Sequence, residues 1–144
     1  MERLELELFM CGDADMDQLT RKFTLIKVEG KDLAVRTHIY GNDSSKKTLV
    51  MTNGFGCTGA MTAFKILKPL AEHFRLVIFD HGGWGLNTKI QETQALASPA
   101  ASEAYIVEWY KAFIDQATEN GDIPEKFYLT AHSGGAMASM MYAS

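Results

Sequence analysis

The chain has 144 residues, 47% of them hydrophobic, with 18 acidic and 14 basic side chains for a formal net charge of -4. That size and apolar content suit one domain with a single core and exclude a disordered or fibrous chain. The charges are dispersed, with no basic block to run along a nucleic acid, and Cys11 and Cys57 lack the spacing of a zinc site or a disulfide framework, so they read as free thiols in a reducing compartment.

Residues 1–20 are read as a lead-in segment. Leu4, Leu6 and Leu8 alternate with acids in the manner of a strand until Gly12-Asp13-Ala14-Asp15 breaks the pattern, and the segment is expected to be flexible. Its acids are unlike a secretory signal or a mitochondrial presequence, which places the chain in the cytoplasm. No apolar run approaches the roughly 20 residues that span a bilayer, leaving only peripheral lipid contact open.

Residues 21–144 form the domain. Phe23 to Val28 and Leu33 to Tyr40 are rich in β-branched and aromatic residues around Glu29-Gly30-Lys31-Asp32, which predicts a hairpin turned at Gly30. Gly41 to Ser45 is a loop. Thr48 to Thr52 is a short apolar run of the kind buried on both faces of a parallel sheet, and it empties into NGFGCTG. A helix is predicted from Met61 to His73, interrupted in its pattern by Pro69. RLVIFD, residues 75 to 80, is a second buried strand, followed by the glycine turn His81-Gly82-Gly83-Trp84-Gly85. Ser98-Pro99 then predicts a helix start, with Ser98 as cap; Ile106, Tyr110, Phe113 and Ala117 line one stripe of that helix, flanked by Tyr105 and Trp109. KFYLTA, 126 to 131, is a third buried strand, and His132-Ser133-Gly134-Gly135 opens a last helix of small residues and methionines. A hairpin followed by alternating strands and helices predicts an α/β fold with right-handed crossovers and a parallel sheet.

The chemistry lies in Ala131-His132-Ser133-Gly134-Gly135. A small-x-Ser-x-Gly pattern between a buried strand and a helix forces a sharp reversal that lifts the serine above the sheet, with small residues two before and two after it avoiding a clash. The helix N-terminus and the Gly134 N–H then favour a developing oxyanion. The plainer alternative is an ordinary turn in which Ser133 caps the helix.

Asn53-Gly54-Phe55-Gly56, the IFDHGGWGLN turn and the AHSGG elbow together, in this order and spacing, resemble the α/β-hydrolase superfamily over residues 23 to 144. The FDxxGWG turn with Val107-Glu108-Trp109-Tyr110 is similar to the lipid-acting abhydrolase group. The resemblance implies the N-terminal half of an α/β-hydrolase, a serine hydrolase of carboxylic, lipid acyl esters working through an acyl-serine without metal or cofactor. It makes Ser133 the nucleophile and the backbone N–H groups of Phe55 and Gly134 the oxyanion hole. Asn53 replaces the usual histidine of the loop and orders it through its amide, with Gly54, Gly56, His132 and Gly135 in support and Asp80 stabilising the following glycine turn.

The pattern departs from that superfamily after the elbow. There the acid and then the histidine follow the nucleophile, whereas only eleven residues follow Ser133, none of them Asp, Glu or His. The chain is therefore read as a partial domain, feeble or inactive alone. His38 and His73 are expected to be solvated or capping, His132 to pack, and His81, at the active-site end of its strand, is the one candidate base within the chain.

Two other readings follow. Gly54-Phe55-Gly56-Cys57-Thr58-Gly59 is a literal GxGxxG, and Asp80 lies at Rossmann spacing beyond it, although a hairpin precedes the motif and the serine elbow goes unexplained. A non-catalytic half-domain is the other, since three parallel strands without later neighbours leave an edge and an apolar face for a partner chain to cover.

Overall fold

The computed structural model describes residues 1–41, 43–87 and 99–144, the first four of the last stretch by backbone alone. The predicted Ser98 cap therefore lies outside the described residues. A helix α1 (Glu2–Cys11) leads through a 3-10 turn, Met16–Gln18, into strands β1 (Leu19–Val28) and β2 (Lys31–Tyr40). Then follow β3 (Lys47–Thr52), α2 (Gly59–Ala63), α3 (Leu67–Ala71), β4 (Phe74–Phe79), α4 (Pro99–Glu119), β5 (Tyr128–Ala131) and α5 (Gly134–Ala143).

The five strands form one sheet in the order β1-β2-β4-β3-β5. Val28 pairs with Lys31 across a two-residue turn, Glu29-Gly30, in which both residues have positive φ (48° and 75°), the twist that suits a tight hairpin. β2 runs antiparallel to β4, whereas β4, β3 and β5 are mutually parallel, as the alternation of strands and helices predicts. Because Thr52 is level with both Phe79 and Ala131, the loops after the three parallel strands leave the sheet at one rim.

Period-two alternation divides the core between the two faces. Val50, Val77 and Phe79 point to one side, where Tyr105, Trp109, Tyr110, Phe113 and Ile114 of α4 cover them. Leu49, Met51, Leu76 and Ile78 point to the other, under Phe9 of α1, Ala60 and Ala63 of α2, and Leu67 of α3. The helix predicted over 61–73 is two short helices. Pro69 has no N–H to give residue 65 and its ring crowds that carbonyl, so the chain breaks at Phe64–Ile66 and restarts.

Three expectations are corrected. The strand-like alternation at the N-terminus is a helix, docked on the core through buried Phe9 and Glu5. His38 is fully buried rather than solvated, because α1 covers its face of β2 and Phe9 meets its ring edge-on at 5.1 Å. β5 is half-exposed rather than buried: among the described residues it pairs only with β3, leaving Tyr128 50% exposed at the open edge.

Candidate active site

β5 ends at Ala131 and α5 starts at Gly134, so two residues turn strand into helix. Ser133 makes the turn at φ 54°, ψ -124°. That region costs a residue with a side chain about 1–3 kcal/mol and persists only where the surroundings enforce it. The enforcement is visible in the glycines around it. A Cβ on Gly135 would run into the carbonyl oxygen of Asn53; one on Gly54 would sit 2.9 Å from Ser133 Cβ; one on Gly134 would sit 2.6 Å from the Phe55 ring. Strand exit, the loop after β3 and helix start thus meet closely: Gly135 against the Asn53 backbone, Gly54 against the Ser133 Cβ and Gly134 against the Phe55 ring, so a side chain at any of the three would force a neighbour to move.

The Ser133 side chain is exposed and caps no N–H of α5, so the plain capping turn does not describe it. No described side chain hydrogen-bonds its Oγ. A hydroxyl at the N-terminus of a ten-residue helix faces the positive end of the helix dipole, which suits an anion forming beside it. His132 is exposed, not packed as expected, because nothing described lies beyond the edge strand it leaves.

The second wall is the loop after β3. Asn53 is fully buried; its Nδ2 donates to the carbonyls of Gly54 (2.9 Å) and Cys57 (2.6 Å), while its Oδ1 accepts the His81 N–H (2.6 Å). One amide therefore orders its own loop and ties it to the loop after β4. Gly56 adopts φ 83°, and Thr58 Oγ1 caps α2 by accepting the Met61 N–H at 3.2 Å. Phe55, carried between these anchors, lays its ring against Gly134.

The loop after β4 is fixed from below. Asp80, fully buried, accepts the Gly59 N–H at 2.7 Å, and burial pushes its carboxyl up to about 6. Asn87 donates to the carbonyls of Asp80 (2.8 Å) and His81 (3.1 Å), and accepts the Arg36 N–H (2.6 Å). Gly85 combines φ 60° with a close approach to the Asp80 carboxylate, where a Cβ has no room. His81 is 6% exposed among Phe55, Trp109 and Tyr110, with Nδ1 3.3 Å from the Tyr110 hydroxyl. Burial lowers its pKa to about 4, so the ring is neutral at pH 7. It faces Tyr110 and makes no hydrogen bond to Ser133, which is not the placement of a general base.

The same geometry disposes of the dinucleotide reading. In that role Asp80 would have to reach a ribose hydroxyl; here it is buried and its Oδ1 is committed to Gly59.

Sequence reasoning missed a buried cluster beneath this rim. Glu5 Oε2 lies 3.1 and 3.0 Å from Arg36 Nε and Nη2 and 3.5 Å from His38 Nε2. The available signal was helical spacing in the first turns: Arg3 and Glu7 pair at i,i+4, and Glu5 and Phe9 repeat that interval on the buried side. Asn87, whose amide ties the glycine turn together, carries no signal in the sequence beyond its place in that turn.

No protein-family profile matches the chain, and no curated protein matches it. Solved structures do. The Cif epoxide hydrolase from Acinetobacter nosocomialis superposes with a TM-score of 0.62 at 18% identity, over 97% of this chain and 40% of its own. A 2-hydroxy-6-oxo-6-phenylhexa-2,4-dienoate hydrolase from Rhodococcus sp. strain RHA1 gives 0.62 at 19% identity, over 86% and 42%. A membrane phospholipase A described as a bacterial virulence factor gives 0.62 at 18% identity, over 97% and 41%. The 144 residues thus span about two fifths of the length of these structures.

Proposed function

The described residues form the N-terminal part of an α/β-hydrolase fold, and on that footing we propose that the chain carries the nucleophile half of a serine hydrolase acting on carboxylic esters. The observation that carries the reading is the exposed Ser133 hydroxyl, held at positive φ between a parallel strand and a helix.

In this reading Ser133 Oγ adds to the ester carbonyl carbon and gives up its proton to a base. The carbonyl oxygen becomes an oxyanion held by the Phe55 and Gly134 N–H groups. The C–O bond to the alcohol then breaks, leaving an acyl-serine that water hydrolyses. The choice of a hydroxyl nucleophile supports a carbonyl substrate over an epoxide or a haloalkane. Serine attack on those would leave an ether, which water cannot cleave under the same conditions, whereas an acyl-serine turns over. A lipid acyl ester is the proposed substrate class, supported by the resemblance of the glycine turn to lipid-acting enzymes. None of the four histidines hydrogen-bonds Ser133, so the base and its acid partner are proposed to come from polypeptide beyond these 144 residues, in the same chain or in another.

A fluorophosphonate probe tests this directly. Ser133 should label in the complete assembly and Ser133→Ala should not; absence of labelling in both rejects the esterase. The non-catalytic reading draws on a different observation. Leu129, Thr130, Ala131, Ala136, Ser139, Met140 and Ala143 line an open groove between β5 and α5 beside the unpaired edge, which a partner chain would cover.

A further inference from the structure

Three buried hydroxyls and an imidazole converge beneath the elbow. The Tyr110 side chain on α4 is fully buried, with its hydroxyl 3.3 Å from His81 Nδ1. Burial pushes this phenol up to about 12, partly offset by the hydroxyls of Thr52 and Ser139, which lie against it. Both contacts are loosely aligned, and neither Thr52 Oγ1 nor Ser139 Oγ bonds any other described group. Phenylalanine, valine and alanine would fill the same space without desolvating three hydroxyls, so packing alone does not account for the choice. The segments that these groups belong to do. Thr52 ends β3 and precedes Asn53, whose amide orders the loop of Phe55. His81 opens the loop after β4 and supports the Phe55 ring at 5.2 Å between ring centres. Ser139 lies on α5, one turn beyond Gly135, in the helix that Gly134 opens.

One phenol therefore touches both walls of the site, the wall carrying the Phe55 N–H and the wall carrying the Gly134 N–H. We propose that Tyr110 is a positioning residue, whose hydroxyl ties α5 to the loops after β3 and β4 and so sets the separation of those two N–H groups. The inference rests on the hydrolase reading of the site and adds to it a residue that touches no substrate. A phenol suits the task, since it donates once and accepts twice, three bonds for three neighbours. Its ring is itself held, between Phe79 at 5.5 Å and Trp109 at 5.6 Å. An oxyanion hole works only while both donors stay within about 3 Å of the oxygen, so a small drift of α5 against the Phe55 loop slows acyl transfer without loosening the substrate.

Two measurements test this together: fluorophosphonate labelling of Ser133 in the complete assembly, resolved into KI and kinact, and the Phe55 and Gly134 amide resonances of the 144-residue chain. Tyr110→Phe should cut kinact about fivefold, leave KI unchanged and shift both amides. It also orphans Thr52 and Ser139 and destabilises the fold, so the deciding variant is Tyr110→Phe combined with Thr52→Val and Ser139→Ala. With all three hydroxyls gone only His81 Nδ1 stays unpartnered, and most of the stability should return. In that variant kinact should stay low and both amides displaced, whereas a merely structural phenol would let kinact recover with stability. Such recovery, wild-type kinact in Tyr110→Phe, or a shift at only one of the two amides overturns the proposal. If both amides move in the triple variant and Ser133 labels in no form of the protein, the esterase fails and the bridge stands.

Discussion

Replacing Glu5 by alanine should unfold this protein more readily than any change at an exposed acid. The Glu5 side chain is 1% exposed and supplies the only buried counter-charge described for Arg36, itself 3% exposed. What remains for the guanidinium is Glu2 at 3.4 Å, on a side chain 64% exposed, and the face of Phe23 at 5.1 Å. Taking one partner from a buried ion pair costs about 3–5 kcal/mol, because the other charge stays desolvated and unpaired. Against a total of about 5–15 kcal/mol for a domain, that is a large fraction. It corresponds to a fall in Tm of about 10–16 °C at this chain length. Thermal and urea unfolding at pH 7 measure it, with Glu7→Ala as control, since Glu7 is exposed and paired only with Arg3 and should shift stability by less than about 0.5 kcal/mol. The pair Glu5→Leu with Arg36→Met should recover most of the loss, as both charges then leave the interior. Burial raises the Glu5 carboxyl, but His38 and Arg36 outweigh it and hold the group below its ordinary 4.5. The folded state thus favours the ionised form, so its contribution is complete above about pH 4.5 and is lost as pH falls through the lower folded value. A Glu5→Ala protein as stable as Glu7→Ala would refute the reasoning.

Asp80 works in the opposite sense. With its carboxyl raised from 3.8 to about 6, the fold favours the protonated form, and stability is lost as pH rises from about 4 through 6. The loss is about 3 kcal/mol in all; Asp80→Asn should flatten that slope in pH-dependent urea midpoints. Ser133→Gly should be about 1 kcal/mol more stable than Ser133→Ala by thermal unfolding, since glycine alone is relaxed at φ 54° and its added chain entropy offsets only part of the gain. Asn53→Ala strips the His81 N–H of its buried acceptor and should cost about 2–3 kcal/mol, while slowing fluorophosphonate labelling of Ser133 in the complete assembly.

What could be read in the sequence followed from where the physics is local. The runs TLVMT and RLVIFD are apolar on both faces, and the glycines at 54, 134 and 135 mark close approaches that leave little room for a Cβ. The elbow and the parallel strands were therefore legible. The first helix was not, because it inverts the usual pattern: Leu4 is 51% exposed while Glu5 is buried. That inversion makes sense only with Arg36, 31 positions away on β2, and no window of sequence contains both. The burial of His38 is hidden for the same reason, since the helix that covers it carries no such local signature. Pro69 gave warning of the break ahead of it but not of its place, which depends on how α2 and α3 each reach the sheet.

The strand order also has a consequence for synthesis. β4 lies between β2 and β3, so β1, β2 and β3 share no continuous edge when they leave a ribosome. When synthesis has reached Thr52, residues 1–52 hold one hairpin and an orphan strand, with the slot between them empty until residues 74–79 arrive. Assembly of the sheet is therefore an act of insertion rather than of successive addition, and the emerging polypeptide must keep two β edges from premature partners until that wedge is delivered.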